Sequence, residues 1–187
     1  MGRIVVTEFV SLDGVMEDPG GAEDFEHGGW TFEIDRGEDG NRFKLEETFE
    51  TEALLLGRVT FEGFAAAWPS REGEFADKFN QMPKYVVSST LGEPEWSNST
   101  VLRGDLAEEV AKLKDEVRGM IQVAGSAQLF QALLDRDLVD ELRLMVFPVV
   151  LGSGKRLFGE SAKKPLRLAD SKIVGDGVAI LTYEAAA

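Results

Sequence analysis

Residues 53–62 read Ala-Leu-Leu-Leu-Gly-Arg-Val-Thr-Phe-Glu, an apolar run that ends at Gly57 and immediately presents Arg58 and Thr60. This is the pattern of a strand emptying into a helix. At such a junction the free backbone N–H groups and the positive end of the helix dipole attract an anion, and a guanidinium and a hydroxyl add donors of phosphate geometry. A phosphate-bearing ligand is the natural guest; the plainer alternative is a tight turn at Gly57 and a solvated Arg58. Two further segments favour the ligand. In Lys84–Thr90 a β-branched and aromatic run stops at Ser88 and Ser89. In Met120–Ser126 an apolar run reaches Gly125 and Ser126 before Leu129, Phe130, Leu133 and Leu134 recur at helical spacing. Ser126 is placed to cap that helix, and Gly125 allows close approach to the backbone. In an open α/β sheet ligands bind outside the carboxyl ends of the strands, so three such ends could line one crevice.

The elements that must position these residues follow from patterning. Ile4 to Val10 reads as a first strand, running into the turn-prone Ser11-Leu12-Asp13-Gly14. A Gly-, Pro- and acid-rich stretch from Glu17 to Trp30 reads as a long loop, of the kind that is often functional. A helix is expected over Asn41 to about Thr51 with Leu45 and Phe49 facing inward, then a strand at Leu54–Leu56, and a short helical turn at Phe75–Gln81. Asp105 and Glu108 form a capping-box pattern before Leu106, Val110, Leu113 and Val117, the cleanest helix in the chain. The nearly continuous apolar run Leu142–Val150 precedes Leu151-Gly152-Ser153-Gly154. Two extended segments, Leu166–Val174 and Val178–Glu184, are joined by Gly175-Asp176-Gly177 as a terminal hairpin, followed by a frayed tail at Ala185–Ala187. Strands alternating with helices early, and strand-rich sequence late, predict an α/β fold with a mostly parallel sheet and an antiparallel edge.

Composition narrows the function. The 187 residues suit one domain, and no linker-like tract divides them. With 20 basic and 34 acidic residues the formal charge is −14, which opposes nucleic-acid binding. A phosphate must therefore meet a local cluster of donors. The chain has no cysteine, no apolar stretch of membrane-spanning length and no signal-peptide pattern at its start, which fits a cytoplasmic protein. One histidine and no cysteine make a zinc or transition-metal centre unexpected. Gly152-Ser153-Gly154-Lys155-Arg156 is not a Walker loop, because Val149 stands where the first glycine belongs and no Ser or Thr follows the lysine. Asp35, Asp39, Gly40 and Glu46 fit a calcium loop only in part, since Gly37 occupies its third position.

The segments Ser11–Val15, Gly57–Glu62, Val87–Ser89, Val123–Leu129 and Pro148–Gly154, in order and spacing, resemble the dihydrofolate reductase-like superfamily. The branch they resemble most is that related to the C-terminal reductase domain of the bifunctional riboflavin-biosynthesis protein. The resemblance covers nearly the whole chain. It implies a three-layer α/β/α fold, NADPH as hydride donor, and a small heterocyclic (pteridine- or pyrimidine-like) or carbonyl acceptor, in the manner of 5-amino-6-(5-phosphoribosylamino)uracil reductase. It also implies a homodimer. By carry-over, Gly57, Arg58 and Thr60 would contact cofactor phosphates, Ser88 and Ser89 would sit near the adenosine 2′-phosphate, and Gly125, Ser126 and Ala127 would bring amides to the pyrophosphate.

Where those riboflavin-pathway reductases carry an Asp-Asp-Pro…Leu…Arg motif, this chain has Glu62-Gly63-Phe64-Ala65-Ala66-Ala67-Trp68-Pro69, so the phosphoribosyl recognition element is missing. The helical acid of dihydrofolate reductases has Glu46, Glu47 and Glu50 as candidates, which also read as a solvated acidic face. His27, in a Gly-rich loop, is the one side chain whose unperturbed pKa suits a proton donor near neutrality, or else a surface histidine. Asp13 could orient a substrate or form a plain turn; Trp30 and Trp68 could stack on a flat heterocycle or be buried. The rival to a reductase is a non-catalytic nucleotide- or ligand-binding dimer that keeps the crevice.

Overall fold

The computed structural model describes residues 1–186. Eight strands form one sheet: β1 (Arg3–Ser11), β2 (Thr51–Gly57), β3 (Lys84–Val87), β4 (Ser99–Leu102), β5 (Met120–Ala124), β6 (Glu141–Phe147), β7 (Leu166–Val174) and β8 (Val178–Ala185). Their spatial order is β4-β3-β2-β5-β1-β6-β8-β7. Every pairing from β4 across to β6 is parallel, and β8 pairs antiparallel with both β6 and β7. The expected α/β architecture, a mostly parallel sheet with an antiparallel edge, is therefore present.

Five helices cover the sheet: α1 (Gly37–Glu50), α2 (Arg58–Ala67), α3 (Glu74–Gln81), α4 (Leu106–Glu116) and α5 (Ala127–Asp135). Period-2 alternation on the strands sorts their side chains between two layers. Ile4, Val6 and Val10 of β1 and Leu55 of β2 pack with Val110 and Leu113 of α4 and Phe130 and Leu133 of α5. Leu54 and Leu56 pack the other way, with Phe61 of α2 and Phe79 of α3. Because β1, β2 and β5 are covered on both faces, they read as nearly unbroken apolar runs, as central parallel strands do. Full burial of side chains such as Phe130 and Leu133 contributes about 1.5–3 kcal/mol each.

Three expectations need correction, and one element was not expected. Leu45 and Phe49 of α1 are exposed, and the inward positions are Gly40, Glu47 and Thr48. Helix α1 docks through Phe43, which packs against the Trp30–Phe147 cluster, and through polar groups: Thr7 Oγ1 donates to Glu47 Oε2 at 3.0 Å, Lys44 Nζ donates to Thr7 Oγ1 at 3.0 Å and pairs with Glu47, and Arg143 lies 3.6 Å from the other Glu47 oxygen. The apolar run after Leu142 leaves the sheet at Phe147, where Pro148 has no N–H to continue a ladder. The proposed frayed tail begins too early, since Ala185 belongs to β8 and Ala186 N–H donates to Pro165 O at 3.3 Å; Ala187 lies outside the described residues. Finally, the four-residue strand β4 had no expectation at all. Asp105 caps α4 as its pattern implies, accepting from the amides of Ala107 and Glu108.

Candidate functional site

Strands β1 to β6 run in one direction, so the ends of β1, β2, β3, β4 and β5 share one edge of the sheet. From β2 the chain leaves leftward through α2 on one face; from β5 it leaves in the opposite sense through α5 on the other. Adjacent strands whose connections diverge leave a crevice between them. The two junctions touch there. A Cβ on Gly57 would overlap Ser126 Oγ, and one on Gly125 would stand 2.9 Å from both Oγ1 and Cγ2 of Thr60. Gly57, Thr60, Gly125 and Ser126 thus form one cluster, at the strand ends that the sequence singles out.

Ser126 does not cap α5. It is left-handed at φ 65°, following Gly125 at φ 67°, and its side chain makes no capping hydrogen bond. A serine capping from extended backbone would reach the N2 or N3 amide, and the left-handed turn removes that geometry. Gly57 at the start of α2 has no side chain to offer. Two helix N-termini therefore meet on this edge with first-turn amides that no N-cap side chain satisfies. This is the arrangement that favours an anion.

Arg58 stands on the first turn of α2, half-exposed, with Nη1 donating to Glu62 at 2.9 and 3.1 Å. An incoming phosphate must compete with that carboxylate, an exposed i,i+4 pair worth a few tenths of a kcal/mol. Ser88 Oγ accepts from the amides of Thr90 at 3.2 Å and Leu91 at 3.0 Å, so it organises the turn after β3; Ser89 beside it is exposed. Reasoning from sequence missed Arg103. It follows Leu102, the last residue of β4 and the register partner of Val87 at the end of β3, and donates to Leu91 O at 2.5 Å, which adds a cation to the Ser88 turn. The signal was hidden because β4 itself was not recognised.

A second missed residue is Glu8. Thr7 pairs with Ala124, the last residue of β5, and Glu8 falls beside the Gly125 turn, where that ladder stops. It is 7 % exposed, and its Oε1 is buried without a hydrogen-bond partner among the described residues. Burial raises its pKa to about 8, against smaller lowering influences from Lys44 and the Gly125 backbone, while Glu47 adds to the rise. A carboxyl inside the run Ile-Val-Val-Thr-Glu-Phe-Val was itself the available signal.

The other sequence candidates lie elsewhere or are already engaged. Asp13 accepts from Ser11 Oγ at 2.6 Å, Leu151 N–H at 3.1 Å and Gly152 N–H at 2.9 Å, contacts that hold its carboxyl well below the ordinary range. It clamps the Ser11–Gly14 turn to the 148–154 segment. Trp30 is fully buried, edge-on to Phe147 with ring centroids 5.6 Å apart, and its Nε1 donates to Glu17 O, so its faces are not offered to a ligand. Trp68 sits at the far end of α2, about 15 Å along the helix from Arg58, stacked on Phe79 at 4.6 Å with Arg71 over its ring. His27 is 41 % exposed on the long loop, edge-on to Phe25, with Nε2 3.4 Å from the Glu26 carboxylate. Of the three acids on α1, Glu47 is buried in the polar docking network and Glu50 is paired with Arg3 and Arg143, leaving Glu46 exposed. Among the described residues no cluster of His, Cys, Asp or Glu could hold a metal, and no helix is long and apolar enough to cross a membrane.

Comparison with known proteins agrees with this architecture. A family model described as the RibD C-terminal domain matches residues 3–180. The uncharacterized protein YyaP of Bacillus subtilis (strain 168) is 28% identical over 97% of this chain and 94% of its own length. Among solved structures, a protein of Shewanella sp. PV-4 provisionally named for riboflavin biosynthesis superimposes with a TM-score of 0.80 at 23% identity, over 99% of each chain. Dihydrofolate reductase of Enterococcus faecalis, complexed with NADP(H), superimposes at 0.61 and 17% identity over 99% of this chain and 97% of that one. At these identities the two structures establish the fold.

Proposed function

The chain belongs to the RibD C-terminal domain family, and from that premise we propose that it is an NADPH-dependent reductase of a small heterocyclic or carbonyl substrate. The family and fold are those of reductase-like domains. The observation that carries the finer reading is the meeting of two N-termini, of α2 and α5, at the Gly57–Ser126 contact, neither with a capping side chain.

The residues present fit a dinucleotide. Gly125 gives the close backbone approach that a pyrophosphate needs, the Ala127 amide opens α5, and Arg58 and Thr60 flank the same opening. Ser88, Ser89 and Arg103 supply hydroxyls and a cation for a ribose 2′-phosphate, which is why NADPH is preferred over NADH in this reading. In a chain of net charge −14, such donors must be concentrated locally. When bound, the dinucleotide supplies the hydride. The protein's task is to hold donor and acceptor carbons in near-attack geometry and keep water out. Without the Asp-Asp-Pro…Leu…Arg element, a pteridine- or pyrimidine-like ring lacking the phosphoribosyl group suits the site better than the riboflavin intermediate.

A homodimer is part of this proposal. Edge strand β7 is exposed along nearly its whole length and presents Leu168 and Ile173 to solvent, a surface that a second copy would cover. The molar mass in solution tests that part.

The central experiment follows NADPH oxidation against pterins, diaminopyrimidines and quinone-like acceptors, together with direct binding of NADPH and NADH. Arg103→Ala should weaken NADPH about tenfold more than NADH, the loss of one charge-assisted contact to the 2′-phosphate, whereas Arg58→Ala, at the pyrophosphate opening that both share, should weaken the two alike. Equal losses for the two dinucleotides in Arg103→Ala would remove the 2′-phosphate assignment. Tight NADPH binding with no acceptor oxidised would favour a binding module over a reductase.

A further inference from the structure

Glu8 is a carboxyl in the parallel core of the sheet with no charged side chain on its own face, and apart from the Gly125 backbone it has no hydrogen-bond partner among the described residues, its Oε1 having none. Its strand neighbours on that face are Val6 and Val10, its register partner on β6 is Leu144, and the α5 side chains packed there include Leu129, Phe130 and Leu133. None of these carries charge. The charged groups that influence it, Lys44 and Glu47, come from α1 across the sheet and oppose one another. What remains beside it is the backbone of Gly125, in the turn that the dinucleotide reading assigns to the pyrophosphate.

We propose that Glu8 is a ligand-binding residue of the crevice that works in its protonated form: the neutral carboxyl, wedged between the end of β1 and the Gly125 turn, donates its proton to a phosphate oxygen of the dinucleotide, and the ionised carboxylate repels it. The proposal rests on the dinucleotide reading above. Its physical basis is the asymmetry of a buried anion. A second anion placed against an ionised, poorly solvated carboxylate meets little screening, whereas a neutral acid in the same place is a hydrogen-bond donor with nothing else to bind. Burial keeps that acid neutral through pH 7, with a pKa of about 8. The reserved Oε1 is then a feature of the site and not a packing defect.

The test is NADPH binding by calorimetry from pH 6.5 to 9.5, in buffers of differing ionisation enthalpy, for wild type and Glu8→Gln. If only the protonated form binds, affinity falls by about 30-fold between pH 7 and pH 9.5, and binding at pH 8.5 takes up about three-quarters of a proton. Glu8→Gln should bind with a nearly flat pH profile and no proton uptake from this site. Lys84, whose pKa is about 8, is present in both proteins, so any contribution from it survives in the variant and is subtracted. Identical pH profiles and identical proton uptake in the two proteins would overturn the proposal while leaving the reductase reading intact. Absence of NADPH binding by either protein at every pH would overturn both. Should the variant fail to fold, proton uptake by the wild type decides: none at pH 8.5 overturns the proposal.

Discussion

Gly125 is packed so closely on Thr60 that a Cβ at position 125 would lie 2.9 Å from two atoms of the threonine side chain, and its φ of 67° is one that L side chains rarely adopt. Both constraints act where β5 meets the first turn of α2. Gly125→Ala should therefore destabilise the fold by about 1–3 kcal/mol and abolish tight dinucleotide binding, since the turn can relax only by moving away from α2. Thr60→Ala removes the steric part alone. In a double-mutant cycle, adding Thr60→Ala to Gly125→Ala should recover part of the stability, measured by denaturant unfolding, and none of the backbone strain. Strictly additive losses would show that the two residues do not press on one another.

Asp13 ties two distant loops through three accepted hydrogen bonds, two of them from the amides of Leu151 and Gly152. Its Oδ atoms are already committed, so Asp13→Asn should act on loop order before it acts on chemistry. The measurement is amide exchange at Leu151 and Gly152, which should accelerate in the variant while exchange in β5 stays unchanged. Because these contacts lower the folded-state pKa, the stabilisation is present above the unfolded value near 3.8 and lost as pH falls below it. Wild type and Asp13→Asn should therefore converge in stability in strong acid.

Much of the frame was legible in local pattern. The hairpin at Gly175-Asp176-Gly177, the Asp105 cap and the strand ends at Gly57, Val87 and Ala124 are each written in a few adjacent residues. What was not legible depends on neighbours far along the chain. Leu45 and Phe49 match a helical repeat, yet α1 turns Glu47 inward because Thr7, Lys44 and Arg143 are there to receive it. Ser126 looks like an N-cap until the backbone turns left-handed at the Gly57 contact. Glu8 and Arg103 acquire their meaning only once β5 is known to lie beside β1 and β4 beside β3. The aromatic candidates are engaged away from the Gly57–Ser126 cluster for a related reason: Trp30 and Trp68 pack against Phe147 and Phe79, rings that no short-range pattern connects to them.

Glu8 also leaves a mark on stability that needs no ligand. Its folded pKa of about 8 stands above the ordinary 4.5, so the folded chain binds more protons than the unfolded one between those values, and stability falls as pH rises through that window. Glu8→Gln removes the titration. The variant should match wild type near pH 4.5 and exceed it by on the order of 3 kcal/mol at pH 8, the linkage expected for a shift of this size after relaxation. Chemical denaturation at the two pH values measures it. A variant less stable than wild type at pH 8 would mean that the carboxylate has solvent or a cation that the structure does not give it.

Lys84 has the opposite sign. It is fully buried at the start of β3, donating to Asn80 O at 2.7 Å and Ser97 O at 2.9 Å, with its ammonium 4.2 Å from the centroid of the Trp96 ring. It thereby satisfies a carbonyl of α3's last turn and one of the loop before β4, so Lys84→Met should cost about 2–4 kcal/mol, chiefly by stranding two buried acceptors. Burial lowers its pKa from 10.5 to about 8. The unfolded chain then holds more protons than the folded one between those values, and wild-type stability gains with pH across that interval. The deficit of Lys84→Met relative to wild type should accordingly widen from pH 8 to pH 10, in a window above the one in which Glu8 titrates. A constant deficit would place the Lys84 ammonium in contact with water.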